Sequence, residues 1–496
     1  MRIGGILMHI TSLPSAGGIG DLGKEAFAFA DFLHAGGMHV WQMLPVCPTG
    51  YGESPYQAPS AFAGNELMIS LEKLREQGLL SYEDSELSTP SCPSLVDFDT
   101  VRKEKTALLR RAWKQSGSLL AQQVEAFAQE HSWVRDYALY AALKIHFGNV
   151  MWSRWPDAGI RNHQKKSVQK YESQLKEEIN YHAFCQFLFD RQWTELKQYC
   201  NAQGILLLGD MPIYVAEDSA DTWTHPEVFQ LNRSRLPKRV AGVPPDAFSD
   251  DGQLWGNPLY RWHSLYFHRY SWWVERMKSM ASRFDMVRID HFIGFANYYS
   301  IPYGAPNARN GKWVIGPGKR LFKKLKKEIP GMNIVAENLG EINARVRKLL
   351  AWCEYPGMTI LAYGFDGNPS ENEHFPANYI ENNVAYTGTH DNDPIRGWVE
   401  TAPAAALNRA RETLGFQHPE EAPWAFIRCV FASPCRMAIV PMQDVLGLDS
   451  TARMNYPGTV GGNWRWRMIP GAASPALAEK LFQLCRETNR TEYKED

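Results

Sequence analysis

Four apolar runs end in an acid: ILLLGD at Asp210, DMVRID at Asp290, NIVAE at Glu337 and NVAYTGTHD at Asp391. Charge inside an apolar run is costly unless it is paired or used. Taken singly, each acid reads as a helix cap or a loop ion pair. Four in matching positions point to one shared site. In a strand, residues i and i+2 face the same way, so Arg288 and Asp290 share a face. A guanidinium beside a carboxylate lowers its pKa. Asp290 is therefore expected to stay ionised, as a nucleophilic carboxylate must. Glu337 sits beside Val335 and Ala336, and apolar surroundings raise a carboxyl pKa. That suits an acid that must hold its proton. Asp391 is a third carboxylate, able to hold substrate hydroxyls and help distort a sugar ring. Two carboxylates with divided roles are the equipment for breaking glycosidic bonds, and a separation of about 5–5.5 Å would retain configuration. The Asp391-Asn392-Asp393 run also has a metal-ligand composition. Loop turns explain such runs better, and neither a metal nor a cofactor is expected.

Something must bring these acids together. Eight runs have the near-continuous apolar character of strands covered on both faces. They are Gly4–Ile10, His39–Val46, Ile205–Ile213, Asp285–Asp290, Asn333–Asn338, Met358–Gly364, Asn383–Asp391 and Arg436–Asp444. Helix-spaced stripes separate many of them. Ala26, Phe29, Ala30 and Leu33 form one, with Gly36-Gly37 as its stop. Phe189, Trp193, Leu196 and Cys200 form another, and NARVRKLLAWC (Asn343–Cys353) a third. This alternation predicts a (β/α)8 barrel, α/β in class, whose catalytic groups lie at the C-terminal strand ends. Two stretches exceed a minimal barrel. Residues 67–190, between strands two and three, read as a largely helical insertion. Residues 220–265, between strands three and four, read as a Pro/Gly/Trp-rich active-site loop, and long loops in compact folds are usually functional. The whole chain, 1–496, is read as one catalytic domain.

Composition narrows the function classes. The net charge is −1, which argues against nucleic-acid or anionic-membrane partners. The 8 cysteines are scattered with no CxxC and no zinc-type spacing. The opening MRIGGILMHITSLPS lacks a small-residue cleavage site, so a reduced cytoplasmic location is expected. No apolar run reaches membrane-spanning length. The 17 tryptophans suit either a large aromatic core or a groove for sugar faces.

The set of motifs resembles the 4-α-glucanotransferases, also called amylomaltases or disproportionating enzymes, nearly end to end. The resemblance rests on TSLPS (Thr11–Ser15), GYGESPYQ (Gly50–Gln57), GDMPIYVAEDSADTW (Gly209–Trp223), PPDAFSDDGQLWGNPLY (Pro244–Tyr260), RIDHF (Arg288–Phe292), AENLG (Ala336–Gly340), TGTHDND (Thr387–Asp393) and NYPGTVGGNWRWR (Asn455–Arg467). It implies an α-amylase-like barrel without a C-terminal β-sandwich domain. It also implies retaining transfer of α-1,4-glucan segments from a donor to a glucose or maltodextrin acceptor. Asp290 would be the nucleophile, Glu337 the acid/base and Asp391 the transition-state stabiliser. Sugar-binding positions map to Tyr51, Tyr56, Asp210, Trp255, Arg288, His291, His390 and Asn463. Tyr51, Tyr56 and the Trp255 loop are candidates for a lid that excludes water. Asn338 and Glu53 depart from the commoner AEDLG and YGDSPYQ. The competing readings are an α-amylase-type hydrolase, a non-catalytic glucan-binding protein and a metal-dependent barrel hydrolase, the last of which would lose activity on chelation. Oligomeric state is not legible.

Overall fold

Residues 2–81, 87–88, 92–117, 119–245, 249–340 and 342–491 are described in a computed structural model of the chain. Twelve strands occur in them: β1 Ile3–Leu7, β2 Val40–Gln42, β3 Leu206–Met211, β4 Arg239–Val243, β5 Gln253–Pro258, β6 Met286–Ile289, β7 Asn297–Pro302, β8 Lys312–Ile315, β9 Asn333–Ala336, β10 Gly357–Ile360, β11 Asn383–Tyr386 and β12 Met437–Pro441. Eight of them form one parallel sheet in the order β10-β11-β12-β1-β2-β3-β6-β9. Each of these eight falls within or beside a predicted run, so the barrel expected from the apolar pattern is the fold.

The sheet is a nearly closed barrel with helices around it. At the seam between β9 and β10 no ladder forms. Ala336 N–H donates to Pro356 C=O at 2.9 Å. Met358 N–H donates to the Asn338 side-chain oxygen at 2.6 Å. A side chain thus does the work of a strand pair beside Glu337.

The surrounding helices follow the predicted stripes. Helix Lys24–Ala35 buries Ala26, Phe29, Ala30 and Leu33, and Gly37 carries φ +67° just past its end, a conformation that costs glycine little. Helix Lys176–Ala202 buries Phe189, Trp193, Leu196 and Cys200. Helix Ala344–Cys353 begins at Asn343, whose side chain accepts from Arg345 and Val346 N–H. Between β2 and β3 lie helices Leu71–Glu76, Phe98–Ser116, Ala121–Glu130, Ser132–His146, Ala158–Arg161, Lys165–Gln174 and Lys176–Ala202. We propose residues 67–190 as one insertion; 82–86, 89–91 and 118 lie outside the described residues. A fully buried lysine anchors its start: Lys105 Nζ donates to Leu67 and Ile69 C=O at 2.7 and 3.0 Å and lies 3.6 Å from the Asp21 carboxylate, outside the insertion.

The stretch expected as a loop, 220–265, contains real secondary structure. β4 and β5 join β7 and β8 in a four-stranded antiparallel sheet, ordered β5-β4-β7-β8. The pattern was hidden because glycines interrupt it. A Cβ on Gly242 would lie 2.1 Å from Gln253 C=O, so close strand approach demands glycine where propensity disfavours a strand. Asp246, Ala247 and Phe248 of the Pro244–Tyr260 motif lie outside the described residues.

Candidate active site

Strand register assembles the first part of the site. Asp210 on β3 pairs with Arg288 on β6, so two side chains far apart in sequence emerge together. Arg288 Nη1 donates to Asp210 Oδ2 at 2.6 Å and to Asp290 Oδ1 at 3.1 Å. Tyr56 Oη donates to the same Asp210 oxygen at 2.8 Å. The other Asp210 carboxylate oxygen is buried with no partner among the described residues. Asp290 lies one residue past β6 and Glu337 one past β9, adjacent strands in register at Ile289 and Ala336. Glu337 Oε2 accepts from His291 N–H at 2.6 Å, and its Oε1 from Leu339 N–H at 2.8 Å. The first of these needs a sharp turn: His291 sits at φ 48°, ψ 49°. A left-handed non-glycine residue is strained and tends to mark function.

Asp391 arrives differently. It lies five residues beyond β11, on a loop rather than a strand end. Its side chain is 42% exposed. Asn455 Nδ2 donates to Asp391 Oδ1 at 2.7 Å, and Arg453 Nη2 to its backbone carbonyl at 2.7 Å. Asn455 N–H also donates to His390 C=O at 3.1 Å. Sequence reasoning named neither Asn455 nor Arg453. Asn455 opens the quoted NYPGTVGGN motif, which is the only signal that pointed near it.

The other predicted residues are distributed around these acids. The His390 ring stacks on Tyr56 at 5.2 Å and 16°. Trp255 meets His291 edge to face at 4.9 Å. Tyr51, 79% exposed, stands on a turn whose Gly52 faces Val460 of a second loop. The two candidate lid tyrosines are therefore separated: Tyr51 is on the surface, whereas Tyr56 is a fixed wall. The Ser54 side chain accepts from Tyr56 N–H and begins a tight turn that directs the Tyr56 ring inward. Asn463 is buried, with its amide used within its own loop, accepting from Tyr456 N–H and donating to Thr459.

The electrostatics correct one expectation. Arg288 does pull the Asp290 carboxyl down, but burial outweighs it, and the carboxylates of Asp210, Glu337 and Asp391 add to the rise. Asp290 ends well above the usual range rather than below it. Burial also raises Glu337, against Arg288 and its two backbone donors. A strand-face argument finds the nearest cation but cannot count the acids that converge on it. Burial lowers His291 to about 4, and its Nε2 has no partner among the described residues. It is a neutral imidazole with a free hydrogen-bonding atom. Tyr363, past β10, faces both Asp391 and Glu337 electrostatically and was also missed. Among the described residues no group of His, Cys, Asp or Glu is placed to hold a metal ion.

Arg288 is the cation nearest these acids and is itself buried. Removing one partner of a buried pair typically costs about 3–5 kcal/mol. Arg288→Ala is expected to destabilise the fold by about that much in denaturant unfolding. In whatever enzyme remains active, the acidic limb of the pH–rate profile should move to higher pH, because Asp290 loses the group that lowers its pKa.

Comparison with known proteins decides the family. The family model described as 4-alpha-glucanotransferase matches residues 8–471. The chain belongs to the 4-alpha-glucanotransferase family. It is 44% identical to the 4-alpha-glucanotransferase of Thermus thermophilus over 99% of both chains. It is 41% identical to that of Clostridium butyricum, covering 98% of this chain and 100% of the relative. An amylomaltase from Streptococcus agalactiae, solved in complex with acarbose, superposes with a TM-score of 0.96 at 40% identity, over 99% of this chain and 100% of that one. The chain is thus a glycosyltransferase-class enzyme, and the two departures in this glucanotransferase acquire a structural meaning. Asn338 closes the barrel seam as an acceptor, a role an aspartate could also fill. Glu53 accepts from Arg102 on helix Phe98–Ser116 at 2.6 Å and from Thr49 at 2.6 Å, so the Tyr51 turn is tied to the helices between β2 and β3.

Proposed function

We propose that this 4-α-glucanotransferase works with retention, through a glucosyl ester on Asp290. Glu337 donates its proton to the glycosidic oxygen while Asp290 attacks C1. The C1–O bond breaks, and the leaving segment departs with a free 4-hydroxyl. In the second half, the Glu337 carboxylate takes the proton from an acceptor's 4-hydroxyl. That oxygen attacks C1 and Asp290 is released. One observation supports this reading above the rest: two neighbouring strands end in acids whose carboxyls are both raised, beside a single guanidinium. Such a pair titrates together and keeps a shared proton. The cation touches Asp290 and not Glu337, which favours the proton on Glu337; the two N–H bonds to Glu337 oppose this. Sugar hydroxyls filling the site would meet the unpartnered Asp210 oxygen and His291 Nε2.

In the same reading Tyr56, His390, Trp255 and Tyr51 offer ring faces and edges to the glucan, Asp210 and Arg288 hold the polar floor, and Asn463 shapes the loop that borders it. Helices long and apolar enough to cross a membrane do not occur among the described residues. All 8 cysteines are free, which supports a reducing, cytoplasmic setting. Incubation with maltotriose should give glucose and a ladder of longer chains while reducing ends stay nearly constant. A steady rise in reducing ends would instead support the hydrolase, which shares the same first half-reaction.

Asn455 is predicted to be a positioning residue for Asp391. Asn455→Ala should lower kcat by about 10²-fold, the cost of a misplacement near 1 Å, with KM changed little. Asn455→Asp sets a second carboxylate where the amide donated at 2.7 Å. It should set like charge against like at Asp391 and move the acidic limb of the pH–rate profile upward. A merely structural role would not move that limb.

A further inference from the structure

A fifth acid, Asp444, ends the apolar run Arg436–Asp444. It lies just past β12 and is 1% exposed. Both of its carboxylate oxygens are used. Thr387 Oγ1 donates to Oδ2 at 2.5 Å, and Ile395 N–H donates to Oδ1 at 2.7 Å. Thr387 is the first residue past β11, and Ile395 begins helix Ile395–Thr401. One buried carboxylate therefore joins the two ends of the loop that carries Asp391, where it leaves a strand and where it enters a helix. Asp391 lies midway, four residues from each end. Between this loop and the ends of β1 and β12 is a cavity of about 20 Å³, whose lining includes His9, Ser12, His390, Asp393 and Asp444. It has room for roughly one water. On this side the loop is not packed solidly against the barrel, and its position depends on hydrogen bonds.

We propose that Asp444 is a positioning residue for Asp391, clamping both ends of its loop so that the Asp391 carboxylate meets the reacting sugar. The effect on catalysis rests on the role given to Asp391 above; the clamp itself does not. Asn455 and Arg453 bind Asp391 directly, whereas Asp444 acts at the loop's ends. Hydrogen bonds to a carboxylate are roughly twice as strong as neutral ones, so this clamp is the stronger for being charged. Burial pushes the Asp444 carboxyl up to about 6 against its two donors, and Asp393 is the charged group that adds to the rise. Protonation need not open the clamp. The Thr387 hydroxyl both donates and accepts, so it can turn and accept from the acid. Asparagine at this position can do the same: its oxygen accepts from Ile395 N–H while its NH₂ donates to Thr387.

Asp444→Ala in the full chain removes both contacts and tests this. Its kcat on maltotriose should fall by about 10²-fold, the cost of a misplacement near 1 Å. Calorimetric binding of S-linked maltotriose, which resists cleavage, should change little. Amide hydrogen exchange should quicken in residues 387–395 and stay slow in the barrel strands. Asp444→Asn should restore both kcat and the protection of the loop. Where Asp444→Ala fails to fold, Thr387→Val carries the test: it removes one of the two contacts with little change of shape, and kcat should fall about tenfold, the worth of one such bond. Wild-type kcat in a folded Asp444→Ala or Thr387→Val variant would overturn the proposal. So would a loss that Asp444→Asn does not restore, with exchange quickened throughout the barrel, since Asp444 would then support the fold alone. Asp391→Asn tells the two kinds of failure apart. Wild-type kcat there would overturn the role of Asp391 as well, whereas an inactive Asp391→Asn beside a fully active Asp444→Ala would overturn the clamp alone.

Discussion

Asp290→Asn is expected to abolish transfer and at the same time to stabilise the protein. The substitution removes the nucleophile, and loss of a covalent nucleophile costs on the order of 10⁶-fold in the best-studied case. No glycosyl-enzyme should then be trapped by rapid quench and mass spectrometry. The stability effect follows from the direction of the pKa shift. Asp290 is raised in the folded state by burial and by its acidic neighbours. A raised carboxyl adds stability only at low pH, where it is protonated. That contribution is lost as pH rises through the folded-state pKa, so at neutral pH the ionised form works against folding. An amide cannot ionise and escapes this penalty. Arg288 keeps its shorter contact, to Asp210 at 2.6 Å, so no buried cation is orphaned. Tm at neutral pH should rise by about 1–3 °C, and the gain should vanish in acid. An unchanged or lower Tm at neutral pH would show that the Arg288 contact outweighs the repulsion. The pattern is the usual one in which a functional site is held at some expense of stability.

Glu337→Gln is the second large effect. Loss of a general acid/base costs about 10²–10⁴-fold in rate, and transfer from maltotriose should fall by that factor. Glucan binding, measured by calorimetry with the S-linked trisaccharide, should persist. The fold around Glu337 makes this a demanding test. Each carboxylate oxygen accepts one backbone N–H, from His291 and Leu339. Glutamine can satisfy only one of them as an acceptor and sets its NH₂ against the other. A variant that is folded but fails to bind would therefore point to Glu337 as a scaffold for the His291 turn rather than as the acid. The pH profile separates the roles further. Because Glu337 is raised, a wild-type acid should stay protonated to higher pH than a free glutamate, with activity falling as pH rises through that value.

The amino-acid sequence by itself determined the barrel and the identity of its acids. Runs such as ILLLGD and NIVAE are apolar throughout because parallel strands are covered on both faces, and that signal is local. Polar residues that end such runs are legible for the same reason. Asn455 was not legible, because its contact with Asp391 spans 64 positions and no periodicity joins a loop to a loop. The small sheet was hidden by glycines that exist for close strand approach, as at Gly242. The separation of Tyr51 from Tyr56 depended on a turn capped by Ser54. The sign of the Asp290 shift was decided only by tertiary structure. A charge environment is a sum over neighbours in space, and the sequence shows only the neighbour two residues away. Helix spacing and strand pattern are short-range properties of the chain, whereas desolvation and the meeting of four acids are properties of the folded barrel and the loops at its rim.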